Sequence, residues 1–229
     1  MKLSMAALAV ALTAILPACP AAASIMTLNY QGVVSPDDFS GSDFDTADLF
    51  GGGDLAGKAI DISIAYNTNL GLASSGQGFS ELDGGLAFYD QTTGTLVPSP
   101  ITSATYSING SSYSFNPDYY VDMFTVSGTG GGLQQTATST AGDNMLTSFA
   151  TDSAPATLNT AFSSLGSGSG YLLTSFQSNN ASDDITFNLS SVSISATPEP
   201  SVWALMIVGV GLAGLGLRLR PKSGALQPA

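Results

Sequence analysis

Ala59-Ile60-Asp61-Ile62-Ser63-Ile64-Ala65-Tyr66 decides the fold class of this chain. Ile60, Ile62, Ile64 and Tyr66 alternate with Ala59, Asp61, Ser63 and Ala65, and a period of two is that of a half-buried β-strand. Three β-branched isoleucines on one parity fit a pleated surface better than a helix. The stretch is therefore expected to be a strand with one face in a core and the other towards water.

Working outward, the same pattern recurs between turn signals, the spacing of an all-β domain. Met26, Leu28 and Tyr30 alternate upstream. Downstream, Leu86, Phe88 and Val97 mark weaker runs, and Thr102, Ala104, Tyr106 and Ile108 lead into Asn109-Gly110, with Tyr113 and Phe115 beyond. Asn-Gly between two alternating runs is a hairpin signal, because both residues tolerate positive φ. Tyr120, Asp122, Phe124 and Val126 read as another strand, as do 145–150 and 171–176. In the last strand Ile185, Phe187 and Leu189 share one parity and Val192, Ile194 and Ala196 the other. A bulge near Ser190-Ser191 would keep both sets on the core side. A helix is expected only at 156–165. These observations give an all-β body, an antiparallel β-sandwich of jelly-roll-like form, with Ile60, Ile62, Ile64, Tyr106, Phe124, Phe187 and Val192 in its core.

Of the 229 residues only 10% are charged, against a usual quarter. All seventeen acidic residues lie between Ser24 and Pro200, where Lys58 is the one basic residue, leaving that stretch at −16. Such a surface repels nucleic acid and anionic lipid and suits cations. The chain has no histidine, and its single cysteine is Cys19. That removes the Ser-His-Asp triad, the Cys-His dyad, the usual zinc site and any internal disulfide. A Ser-Lys dyad would have to use Lys58, which reads as an ordinary strand-edge lysine. A glycosidase needs two carboxyl groups across a sugar, and Glu81 with Asp83 or Asp183 with Asp184 are the close pairs. Aspartates are common at strand ends, so neither pair is assigned catalysis, and the chain is expected not to be an enzyme. No cofactor is called for except calcium, whose oxygen ligands could come from Asp43, Asp45, Asp48 and Asp54 in the acidic, glycine-containing stretch before the first quoted strand. The spacing is not that of an EF-hand: Ala47 stands at a ligand position and Asp48 at the glycine site. The sequons at Asn109, Asn180 and Asn188 read as chance in a serine-rich chain.

The two ends read as addresses. Residues 1–23 form a signal peptide, with Lys2 as the positive region and Met5 to Leu16 as the apolar one. Ala21 and Ala23 are the small residues before a cleavage site at Ser24. A rival lipobox-like site, Leu16-Pro17-Ala18-Cys19, would lipidate Cys19 instead. After the body at 24–196 comes a segment, 197–229, that begins Thr197-Pro198-Glu199-Pro200-Ser201-Val202-Trp203. Val202 to Leu217 are sixteen uncharged residues, about 24 Å as a helix against a hydrocarbon core of about 30 Å. Trp203 suits one interface, and Arg218 and Arg220 can snorkel to the other. A single transmembrane helix is expected at 202–217, with the basic tail 218–222 kept in the cytoplasm. Gly209 to Gly214 spell G-x-G-x-x-G, but no strand precedes them and no βαβ unit follows, so the dinucleotide reading fails.

In Pro198-Glu199-Pro200, Ser201, Trp203, the glycine-containing span and the basic residues Arg218, Arg220 and Lys222, this segment resembles the PEP-CTERM sorting signal of Gram-negative bacteria. The acidic stretch running into Gly57-Lys58-Ala59 also looks like a pattern common in the cargo of that signal. The resemblance implies recognition by an exosortase, a membrane cysteine peptidase that cuts near the Pro-Glu-Pro triplet. Signal peptidase would process the other end. It implies a protein exported across the inner membrane, held there transiently, and then placed on the cell surface or in the extracellular matrix with exopolysaccharide and biofilm. The alternative is a β-sandwich module that binds calcium or polysaccharide, and after it a carboxylate-based glycoside hydrolase.

Overall fold

The computed structural model describes residues 25–36, 43–128, 131–151, 154–176 and 181–197. Among them there is no helix, and fourteen strands account for the regular structure. They are β1 (Ile25–Val34), β2 (Phe44–Asp45), β3 (Gly53–Asp54), β4 (Ala59–Asn67), β5 (Leu72–Gly76), β6 (Phe79–Asp90), β7 (Thr95–Val97), β8 (Ile101–Ile108), β9 (Ser111–Phe115), β10 (Tyr120–Val126), β11 (Gly132–Thr138), β12 (Asn144–Ala150), β13 (Phe162–Phe176) and β14 (Ala181–Thr197).

Twelve of these strands make one antiparallel sheet in the order β5-β6-β10-β11-β12-β13-β14-β1-β4-β8-β9, with β7 pairing β6 off the path; β2 and β3 form a separate ribbon. The core gathers apolar side chains from both ends of that path. Met26, Leu28 and Tyr30 of β1 and Ile60, Ile62, Ile64 and Tyr66 of β4 lie in one buried cluster with Val121 and Met123 of β10, Leu133 of β11 and Phe149 of β12. Segments far apart in the chain also touch directly. The Tyr30 ring meets that of Phe149 edge-on at 5.8 Å, and the Tyr66 hydroxyl donates to the Leu158 carbonyl at 2.6 Å. The sheet therefore curls around its own apolar face.

The bend is helped by bulges. On the β1 side Gln31 pairs with Ser191 and Gly32 with Leu189, so Ser190 has no opposite residue. At the same level β13 skips from Leu165 to Gly168. The phase change in β14 is thus met where the alternation places it, and Ile185, Phe187, Leu189, Val192 and Ile194 are all buried, whereas Ala196, the last of the second set, is exposed. Gly32 is needed here, because a Cβ would run into the Asn188 carbonyl oxygen. Asn109 and Gly110 have φ of 54° and 86° and join β8 to β9 as a two-residue loop, the primed turn the dipeptide favours.

Several local expectations are corrected. Phe124 is not a core residue: β10 buries Val121, Met123 and Thr125, while Tyr120, Asp122, Phe124 and Val126 take the outer face. An unpaired aspartate is costly inside, so the parity that contains Asp122 turns outwards and carries Phe124 with it. Thr102 is exposed and Ile101 buried, because a register shift opposite Ala65 and Tyr66 changes the phase of β8. In β6, Leu86 is exposed, and Leu82 is the aliphatic residue that enters the core. The stretch 156–165 is a turn followed by the start of β13. The expected transmembrane span at 202–217 lies outside the described residues.

Candidate metal centre

The acidic residues that come together are on β6 and β10. These strands pair antiparallel with Asp83 opposite Asp122 and Glu81 opposite Phe124, and residues two apart on a strand share a face. Glu81, Asp83 and Asp122 therefore meet on the outer surface, each offering a carboxylate oxygen within 4.8 Å of the others, and all three are half-buried. On β5, Ser74 stands opposite Glu81 and donates its hydroxyl to Glu81 Oε2 at 2.7 Å. Oδ1 of Asp122 is buried and accepts no hydrogen bond.

The electrostatics follow from three like charges side by side. Burial, then the charges of Glu81 and Asp122, push the Asp83 carboxyl up to about 6. Burial, then Glu81, raise that of Asp122. The Tyr120 phenol is raised by burial and then by the same carboxylates, and its ring packs against Phe88 at 5.2 Å, tilted by 31°. Lys58 is the one lysine or arginine among the described residues, and it lies at the approach to β4. A hard, oxygen-seeking divalent cation fits this donor set: it would relieve the mutual repulsion and occupy the bare Asp122 oxygen.

The four aspartates expected to hold calcium are not gathered. Asp45 is only 4% exposed; its Oδ1 accepts the Leu49 N–H at 2.9 Å, and its Oδ2 accepts those of Phe50 and Gly52 at 2.7 and 2.8 Å. Asp54 accepts the Ala56 N–H at 2.8 Å. The Asp43 carbonyl accepts the Leu55 N–H at 2.7 Å, and Asp48 sits at a left-handed turn with φ of 56°. Asp45 organises its own loop. Asp183 and Asp184 are neighbours on a strand and so point to opposite faces: Asp183 is buried and Asp184 exposed. Glu81 and Asp83 do share a face.

Asp122 escaped sequence reasoning because its companions lie about forty residues upstream and only the β6–β10 register unites them. The available signal was the interruption of an apolar parity by one aspartate. Ala21, Ala23 and Ser24, and Pro198 through Lys222 of the sorting segment, lie outside the described residues. No family model matches the chain, and neither the curated proteins nor the solved structures contain a match.

Proposed function

We propose that this is a non-enzymatic, exported protein of the bacterial surface or extracellular matrix, with a jelly-roll-like sandwich as its body. A signal peptide carries it out, and a PEP-CTERM segment delivers it to an exosortase. The observation that carries this reading is the order Pro198-Glu199-Pro200, then the uncharged run Val202 to Leu217, then Arg218, Arg220 and Lys222. The layout of the body supports it. β1 begins at Ile25 and β14 ends at Thr197, and these two residues are paired, with their neighbourhood tied by the Thr27 and Thr197 hydroxyls at 3.0 Å. Both ends of the folded unit thus fall beside the two processing sites read from the sequence. Proline at 198 and 200 disfavours helix and removes backbone donors, the chemistry expected of a stretch offered to a peptidase. In an exosortase-bearing host, replacing Pro198-Glu199-Pro200 by alanines should leave a longer species in the inner membrane. If that variant reaches the surface at the same size as the parent, the proposal fails.

A second reading is favoured by the carboxylate cluster. The body binds a divalent cation, calcium by preference, through Glu81, Asp83 and Asp122. It is compatible with the first, since a matrix protein can be ordered or bridged by calcium.

A further inference from the structure

Outside the carboxylate cluster, the structure buries a second acidic pair that neither reading uses. Asp183 of β14 is 1% exposed and Asp45 of β2 is 4% exposed. Oδ1 of Asp183 accepts three hydrogen bonds from the loop that follows β2: the Thr46 N–H at 2.6 Å, the Thr46 hydroxyl at 2.8 Å and the Ala47 N–H at 2.9 Å. The Thr46 hydroxyl also lies 2.7 Å from the Ser182 carbonyl oxygen. Asp45 accepts three further N–H groups of the same loop. Thr46 and Ala47, whose N–H groups Asp183 accepts, follow Asp45 directly in the chain, so the two buried carboxylates are brought side by side between β2 and β14. Oδ2 of Asp183 is buried and receives no donor.

Two buried carboxylates side by side, with no lysine or arginine beside them among the described residues, cannot both be ionised at low cost. We propose that Asp45 and Asp183 share one proton, carried on Asp183 Oδ2 and donated to the Asp45 carboxylate, and that this proton latches the 43–56 loop onto β14. The donors on each side fix which acid keeps it. Burial, followed by the neighbouring Asp45, raises Asp183 above the ordinary carboxylate range. Burial works against Asp45 too, but the N–H of Gly52, the neighbouring Asp183 and the N–H groups of Phe50 and Leu49 outweigh it and hold Asp45 below that range. The other charged groups of the loop and its neighbours are Asp43, Asp48 and Asp54, Asp184 on β14, Lys58 just before β4 and Asp61 within it; on β13 the titratable group is Tyr171, raised by burial and then by Asp184. Lys58 is exposed, and no cation among these groups replaces the proton.

The loop covers core. It carries Phe50 and Leu55, each 2% exposed, so its release bares two large apolar side chains without breaking the main sheet. A raised group stabilises below its unfolded value and ceases to do so as pH rises through its folded value; the depressed Asp45 contributes above its unfolded value and is lost in stronger acid. The latch is therefore closed in mild acid and opens as pH rises past the point where Asp183 gives up its proton.

Amide hydrogen exchange of the full chain in detergent micelles tests this, followed at Leu49, Phe50 and Gly52 from about pH 5 to about pH 8 and corrected for the intrinsic rate. Loss of one proton on opening predicts a fall in protection of up to about tenfold per pH unit between the unfolded carboxyl value and the folded value of Asp183, levelling off above it, with Val121 and Leu133 of the main sheet unchanged. Asp183→Asn keeps Oδ1 for Thr46 and Ala47 and puts a permanent donor where the proton sat. It should show high, pH-independent protection, whereas Asp45→Asn should lower protection throughout. Flat protection in the parent overturns the latch, as does an equal fall at Leu133 or a loop released at every pH in Asp183→Asn. If the variants do not fold, the parent titration decides alone.

Discussion

The Tyr30 hydroxyl donates a 2.7 Å hydrogen bond to Oε1 of Gln135, 105 residues away. It joins β1 to β11, strands separated in the pairing order by β14, β13 and β12. Both residues are buried, and the other end of the amide, Nε2 of Gln135, has no partner. The bond ties the two arms of the curled sheet through the core. Tyr30→Phe leaves Oε1 bare as well, so it should cost about 1–3 kcal/mol in urea unfolding. Adding Gln135→Leu to Tyr30→Phe removes the stranded amide and should recover part of that loss. An unchanged midpoint in the single variant would show that the arms are not tied there.

The outward turn of Phe124 is testable by comparing neighbours on β10. Met123 is fully buried, so Met123→Ala should cost about 2–5 kcal/mol. Phe124→Ala should cost distinctly less, since the ring lies on the outer face. Ile62→Asp, placing a charge at a fully buried site on β4, should prevent folding, visible as loss of the β-sheet circular dichroism signal. The reverse ranking of the two β10 variants would mean that the strand faces the other way.

Gly170 of β13 stands directly opposite Phe187 of β14, and the buried Phe187 ring lies where a Cβ of residue 170 would be. The ring cannot swing away without leaving the core. Gly170→Ala should therefore destabilise by about 1–3 kcal/mol, and Gly170→Ala with Phe187→Leu should lose less than the two changes summed. Strict additivity in thermal melts would contradict the contact.

Calcium should raise the melting temperature, and Asp122→Asn should abolish that rise while Asp43→Asn preserves it. The sign with pH follows from the raised carboxyls. In cation-free buffer, the stability contributed by protonated Asp83 and Asp122 is complete below their unfolded value and fades as pH rises through about 6 for Asp83. Calcium competes with those protons, so its effect should grow over the same interval. A melting temperature indifferent to calcium on both sides of about pH 6 would remove the cation-binding reading and leave the export proposal standing.

What the sequence disclosed was local. The Ile60 to Tyr66 alternation, the Asn109-Gly110 turn and the phase change at Ser190 each lie within a few residues, where period and turn chemistry act. The face of β10 was legible too, had Asp122 been weighed against the aromatics at 120 and 124. The carboxylate cluster was half visible, as Glu81 and Asp83, because same-face spacing on one strand is a sequence property. Its third member depends on a register between strands that the sequence does not print. In the acidic, glycine-containing stretch Asp45 reads as a calcium ligand. In the structure its oxygens are committed to the N–H groups of its own loop, a use that no spacing of acidic residues distinguishes from metal binding.

Whether the C-terminal segment is a processing signal is decided by the intact mass of protein released from the surface of an exosortase-bearing host. The released chain should begin at Ser24 and end before Trp203, with the cut close to Pro198-Glu199-Pro200. Recovery of surface protein that still carries Val202 to Leu217 and the basic residues beyond would contradict it, and would make the segment a plain membrane anchor.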